Sequence, residues 1–267
     1  MSGEWSFESD TMLERIDDGV WTSEISDSWN IGVNPNGGYL SAFVLRAMKE
    51  VSDHQDPVSM TTHYLRPGSA GEPCQVRVDV VRRGRSLTTL RGSLVQDGRP
   101  RLEMLAALAD LSAPATGDTE LSVSPPTMPP PEECVTRSGS DQGVELPISQ
   151  RIETRLHPDY GRGGQAGAPE MLGWIRFTDD RPPDTAATAL FADAFPPSLF
   201  GLLGFIGWVP TIELTVHIRR RPSPGWMLGS FQTNDLHHSR MIESGMLWDS
   251  GGQLVAQARQ LGMLLVR

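Results

Sequence analysis

The chain has 267 residues, enough for one large domain or two of ordinary size with a substantial core. Acidic residues outnumber basic ones by 33 to 23, and the net charge of −10 repels phosphate backbones, which argues against sequence-independent nucleic-acid binding. The two cysteines, Cys74 and Cys134, form no CxxC pair, which argues against a disulfide framework and a zinc site.

The N-terminal stretch MSGEWSFESDTMLERIDDGVW carries acids and no long apolar run. Neither a signal peptide nor an anchor is expected there, and the chain reads as cytoplasmic. The longest apolar stretch, Phe200 to Val209, is interrupted by Gly201, Gly204 and Gly207. It falls well short of the roughly 20 residues that span a bilayer. Trp21 to Ile25 alternates with polar residues and predicts a strand. Turn formers in WNIGVNPNGG (Trp29 to Gly38) lead into YLSAFVLRAMKEV (Tyr39 to Val51). Leu40, Phe43, Val44, Ala47 and Met48 have helical spacing there, with Asn36 as N-cap and Lys49 near the C-terminal end. Four strands are then expected: Val58 to Arg66, Cys74 to Arg83, Ser86 to Gln96 and Arg101 to Leu111. Pro67-Gly68, Arg83-Gly84 and Gln96-Asp97-Gly98 supply the turns. One helix followed by four strands predicts an antiparallel sheet wrapped on a central helix.

Between Ser112 and Pro147 the composition shifts to proline, with Pro114, Pro125, Pro126, Pro129, Pro130, Pro131 and Pro147. This reads as a linker extended over the surface. GRGGQAGAP (Gly161 to Pro169) reads as a loop before Trp174. Arg181 to Phe205 predicts a helix, broken or ended near Phe195 by Pro196 and Pro197. Four further strands follow: Thr211 to Arg219, Trp226 to Leu236, Ser239 to Asp249 and Gln253 to Val266. The order of the first half is thus repeated. THYLRP (Thr62 to Pro67) matches VHIRRRP (Val216 to Pro222), which places His63 and His217 154 positions apart. LVQDGRPRL (Leu94 to Leu102) matches LWDSGGQLV, with Leu102 and Leu254 152 apart. An internal duplication follows. It divides the chain into residues 1–113, a linker 114–147, and residues 148–267. The fold class is α+β, a tandem hotdog whose two sheets join edge to edge and so hide two exposed edges.

No GxSxG elbow, P-loop or GxGxxG fingerprint is present. His237 and His238 are adjacent, so a strand would send them to opposite faces, and they read as surface residues rather than a metal pair. The clusters Arg219-Arg220-Arg221 and Arg82-Arg83-Arg85 read first as solvated strand ends and second as contacts for an anionic tail.

Six segments, in order, carry a family likeness: NGGYLSAFVLRA, HYLRPG, RRGRSLTTLRGSLVQDG, FADAFPP, VPTIELTVHIRRRP and LVAQARQLGML. From about Asn34 to the C-terminus the chain resembles the acyl-CoA thioesterase II type of double-hotdog protein, with the proline linker unmatched. The resemblance implies hydrolysis of an acyl-CoA to a free acid and coenzyme A, with no metal or other cofactor. It also implies a water held by an aspartate, a threonine or serine, and a glutamine. These match Asp193 in FADAFPP, Thr211 in PTIELT, with Thr215 nearby, and Gln260 in ARQLG. A partly buried carboxylate can act as general base, while a hydroxyl and a carboxamide align the water. Gly37-Gly38 before Tyr39 permits close backbone approach, and the resemblance puts this turn near the thioester. Its N–H groups are the expected oxyanion donors. A homodimer is also expected.

Each residue has a plainer reading. Asp193 could sit on an exposed helix face, and Thr211 shares a polar strand face with Glu213, Thr215 and His217. Gln260 shares its face with the small residues Ala256, Ala258 and Gly262. The apolar run Leu199 to Ile206 reads as core before it reads as acyl lining. The repeat offset sends Asp193 to Tyr39–Ser41, Thr211 to Pro57 and Gln260 to near Leu108. The first helix has no carboxylate before Glu50, so one site per chain is expected. Two alternatives remain open: a non-catalytic acyl-CoA binder, and a hotdog hydratase. The hydratase needs a histidine near an acid, and no histidine falls in either helix region.

Overall fold

A computed structural model of the chain describes residues 5–112, 120–139, 143–161, 163–204 and 209–265. After a one-turn helix α1 (Ser6–Ser9) come β1 (Glu14–Asp17) and β2 (Val20–Glu24). A small two-stranded sheet of β3 (Asn30–Ile31) and β4 (Asn34–Pro35) leads into α2 (Gly37–Val51). Asn36 caps α2 as expected, its side chain accepting from Tyr39 N at 2.9 Å. The four strands after it are β5 (Asp56–Tyr64), β6 (Pro73–Arg83), β7 (Thr88–Gln96) and β8 (Arg99–Ala109). Asp97 and Gly98, with φ of 52° and 68°, make the tight β7–β8 turn that their types predict.

The proline-rich stretch contributes β9 (Val135–Thr136), and β10 (Ile152–Leu156) and β11 (Glu170–Phe177) follow it. Next come α3 (Thr185–Asp193) and α4 (Leu199–Leu203), separated at Pro196 and Pro197, where a break was expected. The chain ends with β12 (Thr211–Ile218), β13 (Met227–His237), β14 (Arg240–Trp248) and β15 (Leu254–Met263). Val266, the expected end of the last strand, lies outside the described residues, as do Phe205 and Ile206 of the apolar run.

Among the described residues one antiparallel sheet runs β1-β2-β6-β7-β8-β5-β12-β15-β14-β13-β11-β10-β9. This order is a palindrome of two copies. The strands β2, β6, β7, β8 and β5 mirror β11, β13, β14, β15 and β12, and the copies join at β5–β12. The join centres on Thr61 opposite Thr215, 154 positions apart, with their hydroxyl oxygens 2.9 Å from each other. The protein is therefore a double hotdog, each half-sheet curled around its own helix. β10 and β11 extend the repeat upstream of the second helix. Along β11 every second residue, Met171, Gly173, Ile175 and Phe177, is buried, an alternation visible in EMLGWIRF.

The helices α2 and α3 lie side by side in the core, running in opposite directions. Gly38 meets Leu190 and Asp193 at one end, and Arg46 and Lys49 are within electrostatic reach of Asp184 at the other. Ten residues of α2 are buried, from Gly38 to Met48, because the sheet covers one side and α3 another.

Several expectations change. His238 has φ of +48° and belongs to the β13–β14 turn, so the two histidine rings do not point to opposite faces. They meet 4.0 Å apart on the exposed hairpin. Of the arginine clusters, Arg221 grips buried Asp56 at 2.8 Å, Arg220 pairs with Glu120, and Arg83 pairs with Asp53 at 3.2 Å. Cys74 and Cys134 are buried free thiols. No helix among the described residues is long and apolar enough to cross a membrane.

Candidate active site

Asp193 is the last residue of α3, and the N-terminus of α2 is aimed at it. Gly38 N donates to Asp193 Oδ2 at 2.8 Å, and Asn36 Nδ2 donates to the same oxygen at 2.9 Å. Asn36 Nδ2 also reaches the Asp193 carbonyl at 3.0 Å, so one carboxamide caps α2 and closes α3. The two helices can approach this closely because residue 38 has no side chain: a Cβ there would stand 2.9 Å from Leu190 Cα and O. On the other carboxylate oxygen, Thr211 Oγ1 at the start of β12 donates to Oδ1 at 3.4 Å. Gln260 Nε2 on β15 donates to Thr211 Oγ1 at 2.7 Å. Asp193, Thr211 and Gln260 are thus brought together, 67 residues apart in sequence from first to last. Thr215, the neighbouring hydroxyl, is instead bonded to Glu213 Oε1 at 2.5 Å and to Thr61.

Burial pushes the Asp193 carboxyl up to about 6, against the opposing pull of Gly38 N–H, Thr211 hydroxyl, Asn36 carboxamide and Gly37 N–H. The positive end of α2 favours the same ionised form. A carboxylate with this value is charged at neutral pH yet basic enough to take a proton from water.

These side chains line a cavity of about 440 Å³ between the two copies. From the first copy come Asn36, Gly37, Leu40 and Tyr64, and from the second the aromatic wall of Phe195, Phe200 and Phe231. The Phe195 and Phe231 rings lie 4.8 Å apart. Phe195 packs closely on the sheet because position 229 is glycine, where a Cβ would stand 2.6 Å from its Cζ. Phe200 thus brings part of the apolar run of α4 into the cavity, while Leu202 and Leu203 of the same run are exposed.

The expected oxyanion trio is distributed differently. Gly37 lines the cavity, but the Gly38 N–H is taken by Asp193. Tyr39 turns into the core: its ring stacks on Trp29 at 5.1 Å, and its hydroxyl donates to Asp10 O at 2.7 Å. Its N–H is held by the cap, so neither its backbone nor its ring reaches the cavity. The reason is helical geometry, since consecutive residues point about 100° apart.

Three side chains at the cavity went unnoticed in the sequence. Tyr64 closes β5, its hydroxyl 3.0 Å from Ser41 Oγ, and burial raises its pKa well above the ordinary value. Arg137 follows β9; its Nη1 donates to the Ala194 carbonyl at 2.6 Å, and burial lowers its pKa to about 10. Glu243 on β14 is 6 % exposed, and its Oε2 accepts from Ser198 N at 2.7 Å. A signal for Glu243 existed: it alternates with Met241, Gly245 and Leu247, an acid on the apolar face of a strand.

Comparison with known proteins agrees with this architecture. A family model described as the acyl-CoA thioesterase N-terminal domain matches residues 25–112, and one described as the acyl-CoA thioesterase C-terminal domain matches 131–264. A thioesterase-like protein, TwmA, of Talaromyces wortmannii is 32% identical over 97% of this chain and 92% of its own length. A crystal structure of a candidate thioesterase II from Thermobifida fusca superposes with a TM-score of 0.86 at 29% identity, covering 99% of both chains. A hot dog protein of unknown function from Alicyclobacillus acidocaldarius has the same TM-score at 22% identity, covering 99% of this chain and 100% of its own, a likeness of fold.

Proposed function

Because the chain belongs to the acyl-CoA thioesterase family, we propose that it hydrolyses acyl-CoA thioesters to a free carboxylic acid and coenzyme A. Asp193 is the general base, and Thr211 and Gln260 hold the attacking water. The observation that carries this reading is the chain Gln260 to Thr211 to Asp193 at the wall of a largely apolar cavity. The acyl group occupies the aromatic side of the cavity, and the thioester carbonyl lies over Asp193.

The water oxygen attacks the carbonyl carbon as its proton passes to Asp193. The tetrahedral intermediate then collapses, the C–S bond breaks, and the proton held by Asp193 passes to the departing thiolate. The products are an acid and a thiol, with nothing oxidised or reduced. Hydroxyl and carboxamide suit their roles, since both orient the water without bearing charge. The N-terminus of α2 stabilises the carboxylate that must exist before attack.

A Thr211 displaced from the site would have supported the non-catalytic alternative; its hydroxyl lies 3.4 Å from Asp193 Oδ1. The hydratase alternative needs a histidine beside an acid, and among the described residues no histidine lines the cavity. The same reading divides the chain into an N-terminal hotdog (1–113), a linker (114–147) and a C-terminal hotdog (148–267). It also includes a cytoplasmic homodimer, for which light scattering at twice 29.2 kDa is the check.

Thiol release from a panel of acyl-CoAs, short to long, followed with a thiol-reactive dye, tests the activity. Turnover with some member is expected, and the panel's optimum gives the acyl length. No turnover, but measurable binding, would overturn the reading in favour of a binder.

A further inference from the structure

Glu243 is an acid among neighbours that do not neutralise it. On β14 it faces the helices, and the sheet register puts Thr233 opposite it on one side and Gln260 on the other. Neither carries charge. The other ionisable groups lining the same cavity are Asp193 from α3, Tyr64 from β5, Arg137 from the segment after β9, and Arg66 just past β5, an exposed side chain whose Nη1 donates to the Pro100 carbonyl at 3.1 Å. Among the described residues no ion pair includes Glu243, and the charge that acts on it is another carboxylate, Asp193.

Directly opposed side chains on adjacent strands have Cβ atoms about 5 Å apart, so the Glu243 carboxyl and the Gln260 carboxamide can touch. Gln260 uses Nε2 toward Thr211, so its Oε1 is left as an acceptor. Thr211 in turn spends its hydroxyl proton on Asp193. The hydrogen bonds therefore run one way, from Gln260 through Thr211 to Asp193. That direction is reinforced when Oε1 faces a donor. An ionised Glu243 has none to give: it would repel Oε1 and draw the carboxamide N–H groups toward itself, weakening the bond from Gln260 to Thr211.

We propose that Glu243 is a positioning residue that acts as a neutral carboxylic acid, donating to Gln260 and so fixing the direction of the hydrogen-bond chain that ends on the water-activating carboxylate. Burial and the nearby Asp193 charge both raise the Glu243 pKa, while the Ser198 donors oppose them. The two carboxyls of the cavity are thereby divided, one ionised and one protonated, as in acid–base pairs whose surroundings push their pKa values apart. The kinetic part of this proposal rests on the thioesterase reading, and the protonation state does not.

Two measurements on the full chain test it. Infrared spectra of wild type and Glu243→Gln across pH 6 to 9 are expected to show a protonated-carboxyl band at pH 7 in wild type only. Its absence from wild type at pH 7 overturns the proposal whether or not any thioester turns over. If no thioester is hydrolysed, the activity reading fails separately and the band still decides the state of Glu243. In kinetics, Glu243→Gln keeps a neutral donor and should stay within about threefold of wild type at pH 7, without the wild-type loss of rate at alkaline pH. Glu243→Leu should lose about thirtyfold in kcat with little change in KM, the size of one hydrogen bond to a charged network. An unchanged alkaline limb in Glu243→Gln, or wild-type kcat in Glu243→Leu, would overturn the proposal.

Discussion

In the first copy, Leu45, Pro57, Ala106 and Leu90 hold the places that Asp193, Thr211, Gln260 and Glu243 hold in the second. Counting each helix from its N-cap, Asn36 or Asp184, relates Leu45 to Asp193 rather than Tyr39–Ser41. Sheet register relates the others. Leu214 lies opposite Gln260 as Met60 lies opposite Ala106, so Ala106 and not Leu108 is the counterpart. Glu243 lies opposite Gln260 as Leu90 lies opposite Ala106. All four first-copy residues are buried and pack. The same backbone frame thus packs apolar side chains at these positions in one half and turns polar ones toward the cavity between the copies in the other. What separates the halves is the helix: α2 runs unbroken for 15 residues, whereas α3 stops after nine and is followed by α4, whose Phe200 lines the cavity.

The difference can be attacked from both sides. Leu45→Asp should cost about 4 kcal/mol, because a carboxyl there has none of the braces Asp193 has, and thermal or urea unfolding reads the loss. A wild-type Tm in this variant would mean the first half holds a latent polar site. Asp193→Asn should lower kcat by about a hundredfold or more while the fold persists. Thiol release measured beside a circular-dichroism melt checks both halves of that statement, and retained turnover would move the base elsewhere. Gly38→Ala should destabilise by about 2 kcal/mol, since the new methyl meets the Leu190 backbone and the helices must part. Gln260→Leu and Thr211→Val should each cost about tenfold in kcat, and the double variant less than their product, because they act through one chain of hydrogen bonds.

The smallest effects lie in pH. The kcat/KM should fall tenfold per pH unit below about 6, as Asp193 takes up a proton. For stability the sign is opposite. The folded carboxyl binds a proton more tightly than the unfolded one, so its contribution is full below the model-peptide value of 3.8 and is lost as pH rises through about 6. Asp193→Asn should therefore gain Tm over wild type at pH 8 and gain least at pH 4. A Tm difference that stays constant from pH 4 to pH 8 would show that Asp193 has an ordinary affinity for protons.

Much of the fold was legible because its causes are local. Alternation in Val76, Val78 and Val80, the Asp97-Gly98 turn, the Asn36 cap and the Pro196-Pro197 break each act within a few residues. β10 and β9 were not, being short segments whose strand character comes from the partner they add to. For the site, the resemblance named Asp193, Thr211 and Gln260, while their plainer readings were equally compatible with each residue's own neighbours. Tyr39 shows the limit: next to the Gly37-Gly38 turn in sequence, it is rotated away from the cavity by the helix itself.

By itself, then, the sequence determined a duplicated helix-and-strand frame, an excess of acidic over basic residues, and the three polar residues to which the family resemblance points. The tertiary structure alone decided that Asp193 faces the N-terminus of α2, that its carboxyl is raised to about 6, and that Glu243 stands across from Gln260. Burial and strand register decide those three facts. Both are set by residues far apart in the chain, and a carboxylate's proton affinity depends on what surrounds it rather than on what precedes it.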